Sequence, residues 1–165
     1  MKKKKEIINW INNLTNTDTL FLSVHFNTPP STQAELCRRC RPIFKQLFKH
    51  LIGRHWHKVY ERYFTLLGVQ EFGRFGNMHA HFILVCRAKF DAITVLNGLI
   101  SLSPQLKIDI WQDAADKIAR PKQYADDIMA EKAYSSDVIK YTTKEIKING
   151  GRITDNLIVD VDMFA

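Results

Sequence analysis

Apolar and polar positions alternate from Thr19 to Phe26 (TLFLSVHF), a run rich in strand-favouring residues that Asn27-Thr28-Pro29-Pro30 brings to a stop. The period then changes. Leu36, Cys40, Phe44, Leu47, Phe48 and Leu51 recur at helical spacing behind a Thr32/Glu35 capping box, with the basic residues mostly between them, which predicts a long amphipathic helix. Phe64 to Phe72 and Met78 to Arg87 read as two strands. Gly73-Arg74-Phe75-Gly76-Asn77 between them suits a hairpin, so the pair is antiparallel. Phe90 to Leu102 carries Ile93, Leu96, Leu99 and Ile100 at helical offsets, with Pro104 just beyond its expected end.

Leu106 to Trp111 alternates like a short strand, whereas Gln112 to Ala133 is polar, contains Pro121 and reads as either loop or helix. Ser135 or Ser136 can cap a helix to about Ile148, which Gly150-Gly151 ends, and Leu157 to Phe164 is an apolar stretch that can form a further strand. The order βαββαβα fits an α+β fold, a central antiparallel sheet of about five strands flanked by helices.

A length of 165 residues suits one domain, with residues 1–18 as an N-terminal basic segment, and glycines and prolines mark no linker within it. No window approaches the apolar length of a membrane span, and Lys2 to Lys5 lead into too brief an apolar stretch for a signal peptide. Three cysteines are too few for a disulfide-framed secreted domain, which points to the reducing cytoplasm.

Charge narrows the reading further. The chain carries +7, and the segment Cys37 to Arg62 accounts for all of it: Arg38, Arg39, Arg41, Lys45, Lys49, Arg54, Lys58 and Arg62 stand against Glu61 alone. Trp56, Tyr60, Tyr63 and three histidines are interleaved with these cations, a mixture that suits phosphates beside stacked bases, although a solvated helix face has the same composition.

The sharpest candidate chemistry is Met78-His79-Ala80-His81. Side chains alternate along a strand, so His79 and His81 project from one face close enough to share a metal. If GRFGN closes a hairpin, Glu71 lies roughly opposite His79 and adds an oxygen to the two nitrogens. Such a set leaves positions open for substrate and water. It suits Mg²⁺ or Mn²⁺ acting on phosphate oxygens better than a closed structural zinc site. In the late helix, Tyr141 and Lys144 sit three apart and can approach one phosphate together, or equally place a ring on the core and an ammonium in water. Cys37-Arg38-Arg39-Cys40 falls inside the amphipathic helix with no finger-like hairpin around it, which argues against zinc or redox use.

FLSVHFN as an early strand, Glu71, HisAlaHis and Tyr141-Thr142-Thr143-Lys144, in that order over about Thr19 to Lys147, resemble the motifs of the HUH endonucleases. Within that superfamily the order is similar to the rolling-circle replication initiators, or Rep proteins, of the single-tyrosine type. Three features depart from the pattern: Ala80 is smaller than the usual hydrophobe, the first strand contains His25, and there is one motif tyrosine rather than a close pair. The resemblance implies an RRM-like sandwich, a Mg²⁺ or Mn²⁺ ion on Glu71, His79 and His81, Tyr141 as the nucleophile toward single-stranded or hairpin origin DNA, and Lys144 steadying phosphate charge. No GxxxxGK[ST] occurs, so a separate helicase, and a polymerase, are expected partners. A transposase of the same superfamily, or a noncatalytic nucleic-acid-binding module on this scaffold, is the alternative.

Overall fold

A computed structural model of the chain describes residues 5–6, 9, 13, 18–73, 76–112, 126–132, 148–149, 152–153, 157–159 and 163–164. Over these residues β1 (Thr19–Phe26), β2 (Phe64–Phe72), β3 (Met78–Cys86), β4 (Asp109–Trp111), β5 (Asp126–Lys132) and β8 (Leu157–Val159) form a mixed sheet. Its strand order is β4-β5-β1-β3-β2-β8. Two further short strands, β6 (Ile148–Asn149) and β7 (Arg152–Ile153), pair with each other. Among the described residues, α1 (Gln33–Ile52) and α2 (Ala92–Leu106) are the α-helices that pack on this sheet, and single 3₁₀ turns occupy Trp56–Lys58 and Tyr60–Arg62. The α+β class and the sheet flanked by helices therefore hold.

Period-two alternation sorts the two sheet faces. Leu20, Leu22 and Val24 of β1, Phe64 and Leu66 of β2, and Ala80, Phe82 and Leu84 of β3 point to one side, where Leu36, Phe44 and Leu47 of α1 and Val95 and Leu99 of α2 cover them. The intervening residues Phe21, Leu67, Val69, Ile83 and Val85 form a second buried cluster on the other side. Both faces of the sheet thus carry buried apolar side chains.

Local signals act as the sequence suggests. The Thr32 side chain accepts from the Glu35 N–H at 3.1 Å, while the Glu35 carboxylate reaches back to Ser31, accepting from its N–H at 2.9 Å and its hydroxyl at 3.0 Å. These Ser31 bonds hold the Glu35 carboxyl below the usual range.

Four details differ from the sequence reading. The sheet is not wholly antiparallel: β4 runs parallel to β5, and six strands are present where about five are expected. The polar stretch read as loop or helix contributes β5, which pairs with β1 from Leu20↔Lys132 to Phe26↔Asp126. Its acidic ends, Asp126-Asp127 and Glu131, obscured a strand that the neighbouring ladder recruits. Pro104 lies inside α2, not beyond it. Its ring nitrogen cannot donate to the Ile100 carbonyl, and the Ser103 hydroxyl takes that place at 2.8 Å. Finally, α2 starts at Ala92 because Asp91 caps it, accepting from the Thr94 N–H at 2.7 Å.

The apolar stretch from Leu157 divides. Leu157–Val159 pairs with β2, and Phe164 joins Phe48, Trp56 and Tyr60 in an aromatic cluster, with ring centroids 5.3 to 5.8 Å from it. Among the described residues, no helix is long and apolar enough to cross a membrane.

Candidate metal centre

The β2–β3 hairpin sets Glu71 opposite His79 and Val69 opposite His81. All these side chains project away from the helical layer. The ligand atoms of Glu71, His79 and His81 lie within 4.8 Å of one another, and this is the one group of three potential metal ligands among the described residues. Glu71 Oε2 is 2.7 Å from His81 Nε2 and 3.7 Å from His79 Nε2. The His79 and His81 rings meet edge to face at 5.0 Å, so their nitrogens converge without the rings overlapping.

Burial decides the protonation of His81. The residue is 4% exposed, and its pKa is lowered from 6.5 to about 4, by desolvation first and by His79 next, while Glu71 pulls the other way. At neutral pH the ring is therefore uncharged, as a ligand must be. For His79, the Asn77 carbonyl lies 3.3 Å from Nδ1 and can only accept from it, and Nε2 is the ring atom that faces Glu71. The trio can bind a metal ion. Two imidazoles and one carboxylate fit a divalent cation with open positions, as the sequence suggested.

β1 contributes rings to which the motif reading gave no role, noting His25 only as a departure from the pattern. The Phe21 ring stacks on His81 at 5.5 Å and 15°, and the His25 ring on His79 at 5.5 Å and 20°. Alternation in TLFLSVHF was the available signal: Phe21, Ser23 and His25 share a face, and only the β1–β3 register aims that face at the histidines.

The basic segment lies elsewhere. α1 covers the sheet face opposite the metal group. Arg38, Lys45 and Lys49 follow one exposed stripe of it, about 16 Å from end to end at 1.5 Å per residue. Arg39 and Arg41 are half-buried. Arg39 sits over the Phe26 ring and donates to the Thr28 carbonyl, and Arg41 donates to the Met163 carbonyl. Arg54, Lys58 and Arg62 are exposed around the 3₁₀ turns, at the end of β2 remote from Glu71, about 23 Å away by strand rise. Trp56 and Tyr60 pack against Phe48; Tyr60 is a buried core ring, whereas Trp56 is half-buried at the edge of the cluster.

Cys37, Cys40 and Cys86 are buried, and none of them forms a disulfide. Burial, with Asp18 and Asp91 nearby, pushes the Cys86 thiol up to about 12, far from a reactive thiolate. Tyr141 and Lys144 lie outside the described residues, as do the rest of the expected late helix before Ile148 and Tyr134, a tyrosine seven residues before Tyr141; Ile148 itself pairs in β6.

No protein-family model matches the sequence, and no curated protein does. Among solved structures, the chain is similar to the hypothetical protein ORF119 from Sulfolobus islandicus rod-shaped virus 1, at 15% identity and a TM-score of 0.39, over 84% of this chain and 98% of that one.

Proposed function

We propose that the protein is a metal-dependent nickase and strand-joining enzyme for single-stranded DNA of the HUH type, a rolling-circle replication initiator. The observation that carries this reading is the convergence of Glu71, His79 and His81 within 4.8 Å on one sheet face. It is joined by the order of motifs that ends in Tyr141 and Lys144.

Mg²⁺ or Mn²⁺ on the trio would supply polarisation of a non-bridging phosphate oxygen. The protein's own groups do the rest. Tyr141 Oη attacks phosphorus in line; its bond to phosphorus forms as the bond to the 3′-oxygen breaks, and the proton lost by the phenol is balanced by one gained by the leaving 3′-oxygen. The products are a 5′-phosphotyrosine and a free 3′-hydroxyl that can prime synthesis. Attack by a 3′-hydroxyl reverses the step without ATP, because one phosphodiester is exchanged for another. Lys144 offsets charge on the phosphate. Origin DNA is the partner, its flanking backbone meeting the cations of α1, with a separate helicase and polymerase acting in the cytoplasm.

The test is a denaturing gel of the protein with labelled single-stranded DNA and Mn²⁺. A denaturant-resistant adduct is expected. It should be lost in Tyr141→Phe, which removes only the hydroxyl, and slowed in Lys144→Ala. An adduct that peptide mapping places on Tyr134, or that survives in Tyr141→Phe, overturns the nucleophile. DNA binding with no adduct under any condition favours the noncatalytic module.

A further inference from the structure

One residue beyond the Val24↔Ala80 pair of the β1–β3 ladder, His25 comes alongside His79, and Glu71 flanks His79 on its other side. The three side chains therefore form a single row across β1, β3 and β2. His79 is the more exposed histidine of the trio, its side chain 17% accessible against 6% for His81. Its ring consequently has less packing around it to fix its torsions. His81 is backed by Phe21, at 5.5 Å and 15°, and His79 by His25, at 5.5 Å and 20°. β1 thus supplies one flat ring behind each imidazole. The His25 ring is in turn oriented by Ser23, whose Oγ lies 3.3 Å from its Nε2.

We propose that His25 is a positioning residue for the metal group, and that its stacked ring holds His79 with Nε2 aimed at Glu71 Oε2. The inference rests on the metal reading of Glu71, His79 and His81, and not on the nicking chemistry. Its physical basis is preorganisation. Without the stack, the imidazole samples rotamers that point Nε2 away from the carboxylate, and binding must first overcome that freedom. What His25 contributes is a flat aromatic surface, because the stack uses its π-face and the three ligand atoms converge without it.

Mn²⁺ affinity measured by calorimetry on the full chain separates the possibilities. His25→Ala should weaken binding about 10- to 100-fold, the usual effect of losing a supporting partner. His25→Phe, which keeps a ring and removes the nitrogens, should restore affinity close to that of the wild type. Should His25→Ala not fold, His25→Gln serves in its place, with weakened binding expected. Wild-type affinity in His25→Ala or His25→Gln overturns the proposal, and so does a His25→Phe protein as weak as His25→Ala, since the nitrogens would then be what matters. A wild-type chain that binds no Mn²⁺ overturns the metal reading itself, a result distinct from either.

Discussion

Glu71 and His81 are joined by a 2.7 Å contact although they are not paired across the ladder. The register partner of Glu71 is His79, whose Nε2 stands at 3.7 Å. The carboxylate therefore leans along the strand toward the more buried imidazole, and its Oε2 bridges the pair. A cation bound by all three atoms must displace the hydrogen bond between Glu71 and His81.

Mn²⁺ should raise the melting temperature by mass action, with about 2.7 kcal/mol of stabilisation expected at a concentration 100 times the dissociation constant. His79→Ala combined with His81→Ala should abolish the shift and any cleavage, and EDTA should reverse the shift and stop nicking. Differential scanning fluorimetry with and without Mn²⁺ is sufficient. An undiminished shift in the double variant removes these histidines from the site.

The lowered pKa of His81 makes stability depend on pH in a defined window. Between about 4, its folded value, and 6.5, its unfolded value, the unfolded chain binds more protons than the native one. The contribution is therefore fully present above 6.5 and is lost as pH falls through 4. Urea midpoints of the metal-free protein should decline over that interval. In His81→Gln the decline should be shallower, and an equal slope would mean that other groups dominate.

The exposed stripe of Arg38, Lys45 and Lys49 predicts DNA affinity that falls steeply with salt, each neutralised phosphate releasing counterions. Lys45→Glu with Lys49→Glu should flatten the salt dependence seen by fluorescence anisotropy. Because α1 lies across the sheet from Glu71, the Mn²⁺ melting shift should not change in this variant. An unaltered salt slope would identify the stripe as a solvated surface.

Packing between β2 and β3 leaves no room at Gly68. A methyl there would meet the Phe82 ring at 2.5 Å and Ile158 at 3.2 Å, and Phe82 is fully buried under α1. Gly68→Ala should cost about 1–3 kcal/mol by overpacking. Adding Phe82→Leu should recover part of the loss. Urea denaturation of the single and double variants measures both, and additive losses would exclude a clash between these two sites.

Much of the architecture was legible in single residues because its causes are local. Alternation in TLFLSVHF, the Thr32 cap and the glycines of GRFGN each act over a few positions, and β1, α1, β2 and β3 follow from them. The pairing of Glu71 with His79 was legible for the same reason: a short hairpin fixes its own register. Strand β5 was not, because Asp126 to Lys132 has little strand propensity, and its pairing depends on β1, about 100 residues earlier in the chain. Nor could residue spacing show that α1 and the metal group occupy opposite faces of the sheet, or that Trp56 and Tyr60 pack against Phe48. The chain by itself determined which side chains share a face. Which faces meet, and so that His25 backs His79 while the cations of α1 stand apart, was decided only when non-local strands and helices packed, since burial of apolar surface depends on the whole assembly of elements.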